Sequence, residues 1–204
     1  YSIEYAGQDE EMRNAMSFLM KAFVLAVMLI VLILVMQFNT LSVPLIIMTT
    51  VILSMIGVLT GLMVCRLPFS VIMTGIAVIS LAGVVVNNAI VLLDYTRQLQ
   101  RRGMGLIEAS VEAGITRARP VLLTAITTVL GLIPMAAGIS FDIHTFTIST
   151  RSESSLWWSN LAITVIFGLS LATILTLVVV PTLYVAIYTQ VAKLGLGGLT
   201  SPAR

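Results

Sequence analysis

Charge is scarce in this sequence. Asp, Glu, Lys and Arg together make up 10% of it, against about a quarter in an ordinary soluble domain, which excludes the soluble globular class. The net charge of +2 is too small to argue for nucleic acid as a partner. The single cysteine, Cys65, rules out an internal disulfide and a cysteine-cluster metal site. The one histidine, His144, has no cysteine or second histidine near it and reads as a surface residue rather than a metal ligand. No nucleophile–base pair stands out, so an enzyme is not expected, and neither is a bound metal or cofactor.

What the chain has instead is apolar length. It is 58% hydrophobic with a mean hydropathy of +1.07. Crossing a bilayer takes roughly 20 apolar residues in a helix, and five runs qualify: Ser17–Phe38, Leu45–Cys65, Val71–Leu93, Pro120–Ala137 and Leu161–Tyr188. None is dominated by strand-like alternation, so they read as helices, which satisfy their own backbone in lipid. The expected fold is all-α: a polytopic membrane bundle of five transmembrane helices over residues 15–190. A short helix lying on the membrane surface is expected near 103–114, ended by Gly114. Pro120 then opens the fourth span. The segment "SFDIHTFTISTRSESS" reads as irregular or short-helical, and residues 191–204 as a disordered tail.

The opening stretch, Tyr1–Asn14, is polar and acidic and lacks the basic start of a signal peptide. With no initial methionine, it reads as the tail of a domain that precedes the first helix, the chain being the C-terminal piece of something longer. "YSIEYAG" alternates as the end of a strand would. Five spans put the termini on opposite sides. One side collects Arg97, Arg101, Arg102, Arg117, Arg119, Lys193 and Arg204; the other holds Arg13, Lys21, Arg66 and Arg151. That bias predicts a cytoplasmic C-terminus and an outward N-terminus. Trp157 and Trp158, just before the fifth span, suit an interfacial anchor.

Three helices carry small or polar stripes. Ser54, Gly57 and Gly61 are spaced for close helix packing. Ser80, Gly83, Asn87 and Asp94 step by helical intervals along the third helix, and Thr124, Thr128 and Gly131 along the fourth. These last two stripes could face each other inside the bundle. Asn87 and Asn88 are the unusual pair, two amides in the middle of a greasy run. Either they hydrogen-bond across helices and fix the packing, or they line a path for protons or ions, since polar groups at mid-membrane are expensive and tend to be functional. An amide does not titrate, and no ionisable residue lies in the middle of any span. If protons cross here, the titrating carboxylate comes from another part of the molecule. The eleven methionines are scattered and read as apolar filler.

The segments "GVVVNNAIVLLDY", "EAGITRARPVLLTAITTVLGLIP", "LTLVVVPTLY" and "LVMQFNTLSVPLIIM" strongly resemble the C-terminal transmembrane half of resistance–nodulation–division (RND) efflux permeases, over nearly the whole chain to Tyr184. The resemblance implies an inner-membrane antiporter that exports drugs or similar amphiphiles, driven by the proton gradient. It implies a homotrimer with twelve helices per subunit, working with a periplasmic adaptor and an outer-membrane channel. On that map the chain is the last five helices, with a periplasmic N-terminus, and its partner is the missing N-terminal half. The family's proton relay pairs two aspartates of that half with a lysine. The lysine position matches Asn87 and the amide after it Asn88; an assisting threonine matches Thr124 and an assisting arginine Arg117. Asn87 departs from the lysine, so the charge-swap form of the relay does not transfer. The competing reading is a membrane fragment or accessory protein with no transport of its own.

Overall fold

The computed structural model describes residues 8–142, 147–150 and 153–193. Five helices carry the chain: α1 (Gln8–Phe38), α2 (Ser42–Val64), α3 (Val71–Arg101), α4 (Leu106–Ala136) and α5 (Glu153–Lys193), with a small hairpin of β1 (Ile139–Asp142) and β2 (Thr147–Thr150) between the last two. All five helices are long and apolar enough to cross a membrane. The architecture is the expected all-α membrane bundle.

Local chemistry sets the ends. Ser70 caps α3, its hydroxyl accepting from the Met73 N–H at 3.4 Å. Asn39 ends α1 in the left-handed region at φ 47, where an amide side chain is tolerated better than most. Gly103, at φ 94, turns the chain out of α3.

The helix α5 is the hub, packing on α2, α3 and α4. The seam between α2 and α5 is closed by missing side chains. A Cβ on Gly57 would lie 2.9 Å from the Phe167 carbonyl oxygen and from the Leu171 Cβ, and one on Gly61 would collide with the Phe167 side chain. On α5, a Cβ on Gly168 would lie 2.9 Å from the Val58 side chain of α2 and would collide with Leu81 of α3. Such contact matters because lipid tails are as apolar as leucine, so packing rather than water exclusion holds these helices together. Ser54 is buried beside this seam, its hydroxyl turned to the Val51 carbonyl at 2.6 Å. Half of the apolar stretch of α2 and of α3 is buried, against 6% for α1 and 11% for α4. Those two helices leave long apolar flanks open, such as Met16, Met20, Val24 and Met28 on α1.

Three expectations need correction. There is no separate surface helix near 103–114: that segment is the first part of α4, which runs unbroken through Gly114 and Pro120. The stop is made by Gly103 instead, and Ala109, Ser110 and Ala113 are buried rather than spread on a membrane surface. A proline inside a membrane helix is tolerated when neighbours support the freed carbonyl. Second, the stretch after α4 is an antiparallel hairpin pairing Ile139 with Thr150 and Phe141 with Ile148. Apolar and polar residues alternate there, as "ISFD" and "TIST", which is strand periodicity. Third, α5 continues to Lys193, into the expected tail, and α1 begins at Gln8, inside the expected extracytoplasmic piece. The strand reading of "YSIEYAG", His144 and residues 194–204 lie outside the described residues.

Candidate functional site

The two asparagines point in different directions. Adjacent helical residues sit about 100° apart, and here the turn takes Asn88 into the bundle, 8% exposed, while Asn87 stays on an open face. Asn87 borders a groove of about 140 Å³ between α1 and α3, with Ile30, Ile33, Leu34, Gly83, Val86 and Ile90. Among the described residues neither amide forms a side-chain hydrogen bond.

The rest of the α3 stripe is open too. Ser80, Gly83 and Asp94 are exposed, and a Cβ on Gly83 would meet nothing within 4 Å. On α4, Thr124, Thr128 and Gly131 are likewise exposed, and Gly131 has the same free space. The two stripes therefore do not close on each other. Thr124 donates to the Val121 carbonyl at 2.9 Å and Thr128 to the Thr124 carbonyl at 2.8 Å, so both hydroxyls are held by their own helix. Their oxygens still have lone pairs to offer.

Arg117, one helical stretch earlier on α4, is half-buried and lies over the Tyr95 ring of α3 at 4.5 Å from its centroid. That is a cation–π contact between the two helices. Its Nε is buried with no hydrogen-bond partner among the described residues. A buried guanidinium nitrogen left unpaired is costly. Asn87, Asn88, Thr124 and Arg117 thus share two neighbouring helices but are not joined into one hydrogen-bonded network.

Two networks were not singled out in the sequence. At the Arg-rich end, Arg97 of α3 donates through Nη1 to the Phe38 carbonyl at 2.7 Å, and through Nη2 to the Thr40 hydroxyl at 2.9 Å and the Tyr188 hydroxyl at 3.1 Å. Its guanidinium also stands 5.0 Å from the centre of the Phe38 ring. Tyr184 stacks on Tyr188, ring centres 4.4 Å apart, and donates to Gln100 at 2.9 Å. At the opposite end, Asn160 of α5 donates to the Pro68 carbonyl at 3.1 Å and accepts from Thr74 at 3.5 Å, while Ser159 donates to the Ala136 carbonyl at 2.7 Å. The one sequence signal for the first network was Tyr184 and Tyr188 four apart on one helix face.

Comparison with known proteins gives this arrangement its context. Residues 1–188 match the model of the AcrB/AcrD/AcrF family. The swarming motility protein SwrC of Bacillus subtilis is 36% identical over 183 residues, which is 90% of this chain and 16% of SwrC. The cobalt-zinc-cadmium resistance protein CzcA of Cupriavidus metallidurans is 32% identical over 184 residues, again 90% of the chain and 16% of the relative. Among solved structures, the crystal structure of a heavy metal efflux pump superposes with a TM-score of 0.73 at 32% identity, covering 90% of this chain and 17% of the pump. The chain therefore spans about one sixth of the length of these relatives. With five apolar helices in this packing and a match along nearly its whole length, the chain belongs to the AcrB/AcrD/AcrF family of RND efflux permeases.

Proposed function

We propose that the chain is the C-terminal membrane segment of a proton-driven efflux permease of the inner membrane, which exports drugs or other amphiphiles. The observation that carries this reading is the open polar face: Asn87, Thr124 and Thr128 stand exposed on helices built to lie in hydrocarbon. A polar group at that depth is expensive unless it meets another polar group. The N-terminal half of the permease would cover this face and bring the carboxylates that carry the proton.

The chain's own residues then have distinct tasks. Arg117 supplies a permanent positive charge beside Tyr95, which draws a carboxylate toward α4. Asn87 offers one acceptor and two donors but no titratable group, so it orients a carboxylate or a water rather than holding the proton. Thr124 offers its remaining lone pairs. Asn88 is buried within the bundle and faces away from this surface. The proton gradient is the energy source, and no cofactor takes part. The bias of Arg97, Arg101, Arg102, Arg117 and Arg119 to one end supports a cytoplasmic C-terminus and a periplasmic N-terminus. A homotrimer, a periplasmic adaptor and an outer-membrane channel complete the proposed machine.

The names of CzcA and of the solved heavy metal pump favour divalent cations as a second substrate class. The described residues hold no group of three His, Cys, Asp or Glu that could seat a cation, so a cation would be selected elsewhere in the complete protein.

The test is efflux by the complete permease in proteoliposomes, with and without a proton gradient, for an amphiphilic dye and for Zn²⁺. Asn87→Leu is expected to lower gradient-driven efflux at least tenfold at unchanged protein level, the loss of about 1.4 kcal/mol of barrier lowering. Asn87→Asp is expected to shift the pH dependence of efflux. Unchanged efflux in both variants would reduce Asn87 to a packing residue. No gradient-driven efflux from the native protein would favour an accessory role without transport.

A further inference from the structure

We propose that Arg97 is a positioning residue that makes α1 and α3 move as one unit, and this rests on the transport reading above. The outer flank of α1 is open, and its inner side packs through half-buried residues such as Leu19, Phe23 and Ile30. Among its described side chains only Leu34 and Phe38, in the last two turns, are buried. Packing alone therefore registers this helix weakly against the bundle, and in lipid no hydrophobic force adds to it. What the end of α1 does have is Arg97. One guanidinium gathers the last carbonyl of α1 at Phe38, the hydroxyl of Thr40 in the turn to α2, and the Tyr188 hydroxyl of α5. Four elements meet at this side chain. No described carboxylate is paired with it; its charge is answered by the carbonyl end of α1, where the helix dipole is negative.

The same helix joins this tether to the amides. Asn87 and Arg97 are ten residues apart on α3, and the intervening "NAIVLLDYT" contains neither glycine nor proline. That is about 15 Å of uninterrupted helix. Hinges in helices form at Pro, Gly or Ser pairs and bulges, so a displacement of α3 at Asn87 reaches Arg97 undamped. There it is handed to the end of α1 and the turn after it through two charge-assisted hydrogen bonds, one to the Phe38 carbonyl and one to the Thr40 hydroxyl. Lysine is no substitute, because a compact ammonium on a flexible stem lacks the planar fork that reaches these acceptors together.

The test uses the complete permease with every native cysteine, Cys65 included, replaced by serine. Spin labels are placed at Met36→Cys on α1 and Gln98→Cys on α3, both exposed, and labelled subunits are diluted with unlabelled ones. The native protein is expected to give one narrow distance, and Arg97→Met a broadened one. In parallel, Arg97→Lys is expected to lower efflux turnover per molecule on the order of fivefold, with KM within a factor of about two of the native value. Tyr188→Phe, which removes one of the three acceptors, is expected to have a smaller effect. An unchanged distance distribution in Arg97→Met overturns the tether. So does a turnover loss in Arg97→Lys that merely follows the amount of folded protein. The distance measurement needs no transport, so failure of the native protein to export anything would sink the transport reading while still deciding the tether.

Discussion

The α2–α5 seam and the α3–α4 face are both built from helices long and apolar enough to cross a membrane, yet one is closed and the other left open. In the seam, Gly57, Gly61 and Gly168 remove side chains so that backbones and Phe167 come together. On the face, Gly83 and Gly131 have empty space in front of them, beside Asn87, Thr124 and Thr128. A glycine in a helix is destabilising by about 0.5–1 kcal/mol relative to alanine. The seam recovers this through contact. On the face nothing in the described chain does, and the proposed docking of the rest of the permease would supply that contact. Small residues at helical spacing thus have two meanings, told apart only by what stands opposite.

The sharpest way to break that comparison is to put one methyl group on each side. Gly61→Ala is expected to destabilise the chain by about 1–3 kcal/mol, as overpacking does, read by thermal unfolding in detergent. Gly83→Ala in the same assay is expected to be neutral or slightly stabilising, as helix propensity alone dictates. Equal effects would erase the distinction. Next in size are the polar ties at the hairpin end of the bundle. Asn160→Ala removes bonds to Pro68 and Thr74 and is expected to cost about 1–2 kcal/mol. Ser159→Ala, which loses one bond to the Ala136 carbonyl, is expected to cost about 0.5–1.5 kcal/mol. The smallest expected effect on stability is at Thr124→Val, within about 0.5 kcal/mol, because its hydroxyl bonds only its own helix. If the open face carries the relay, that same substitution slows gradient-driven efflux by the complete permease, separating a functional group from a structural one.

The five helices were readable because a 20-residue apolar run has few other outcomes in lipid. Their limits were less so. Gly114 and Gly103 look equally able to stop a helix, and what decides is that Ala109 and Ala113 find a bundle to pack on, which is tertiary information. The hairpin is visible in the alternation of "ISFD", but the polar composition of the whole segment points the other way. Asn87 was conspicuous as an amide among valines, but that Asn87 faces outward and Asn88 inward depends on where α5 lies. Arg97 was hidden for another reason. Its three acceptors are 57 to 91 residues away, and one of them is a backbone carbonyl that any residue type at position 38 would offer.

The most direct test of the open face is the oxygen accessibility of a spin label at Asn87→Cys, in a background with every native cysteine, Cys65 included, replaced by serine, in lipid. The label is expected to be accessible in the 204-residue chain alone and shielded in the complete permease. Equal accessibility in both would contradict the claim that this face is where the remainder of the permease docks.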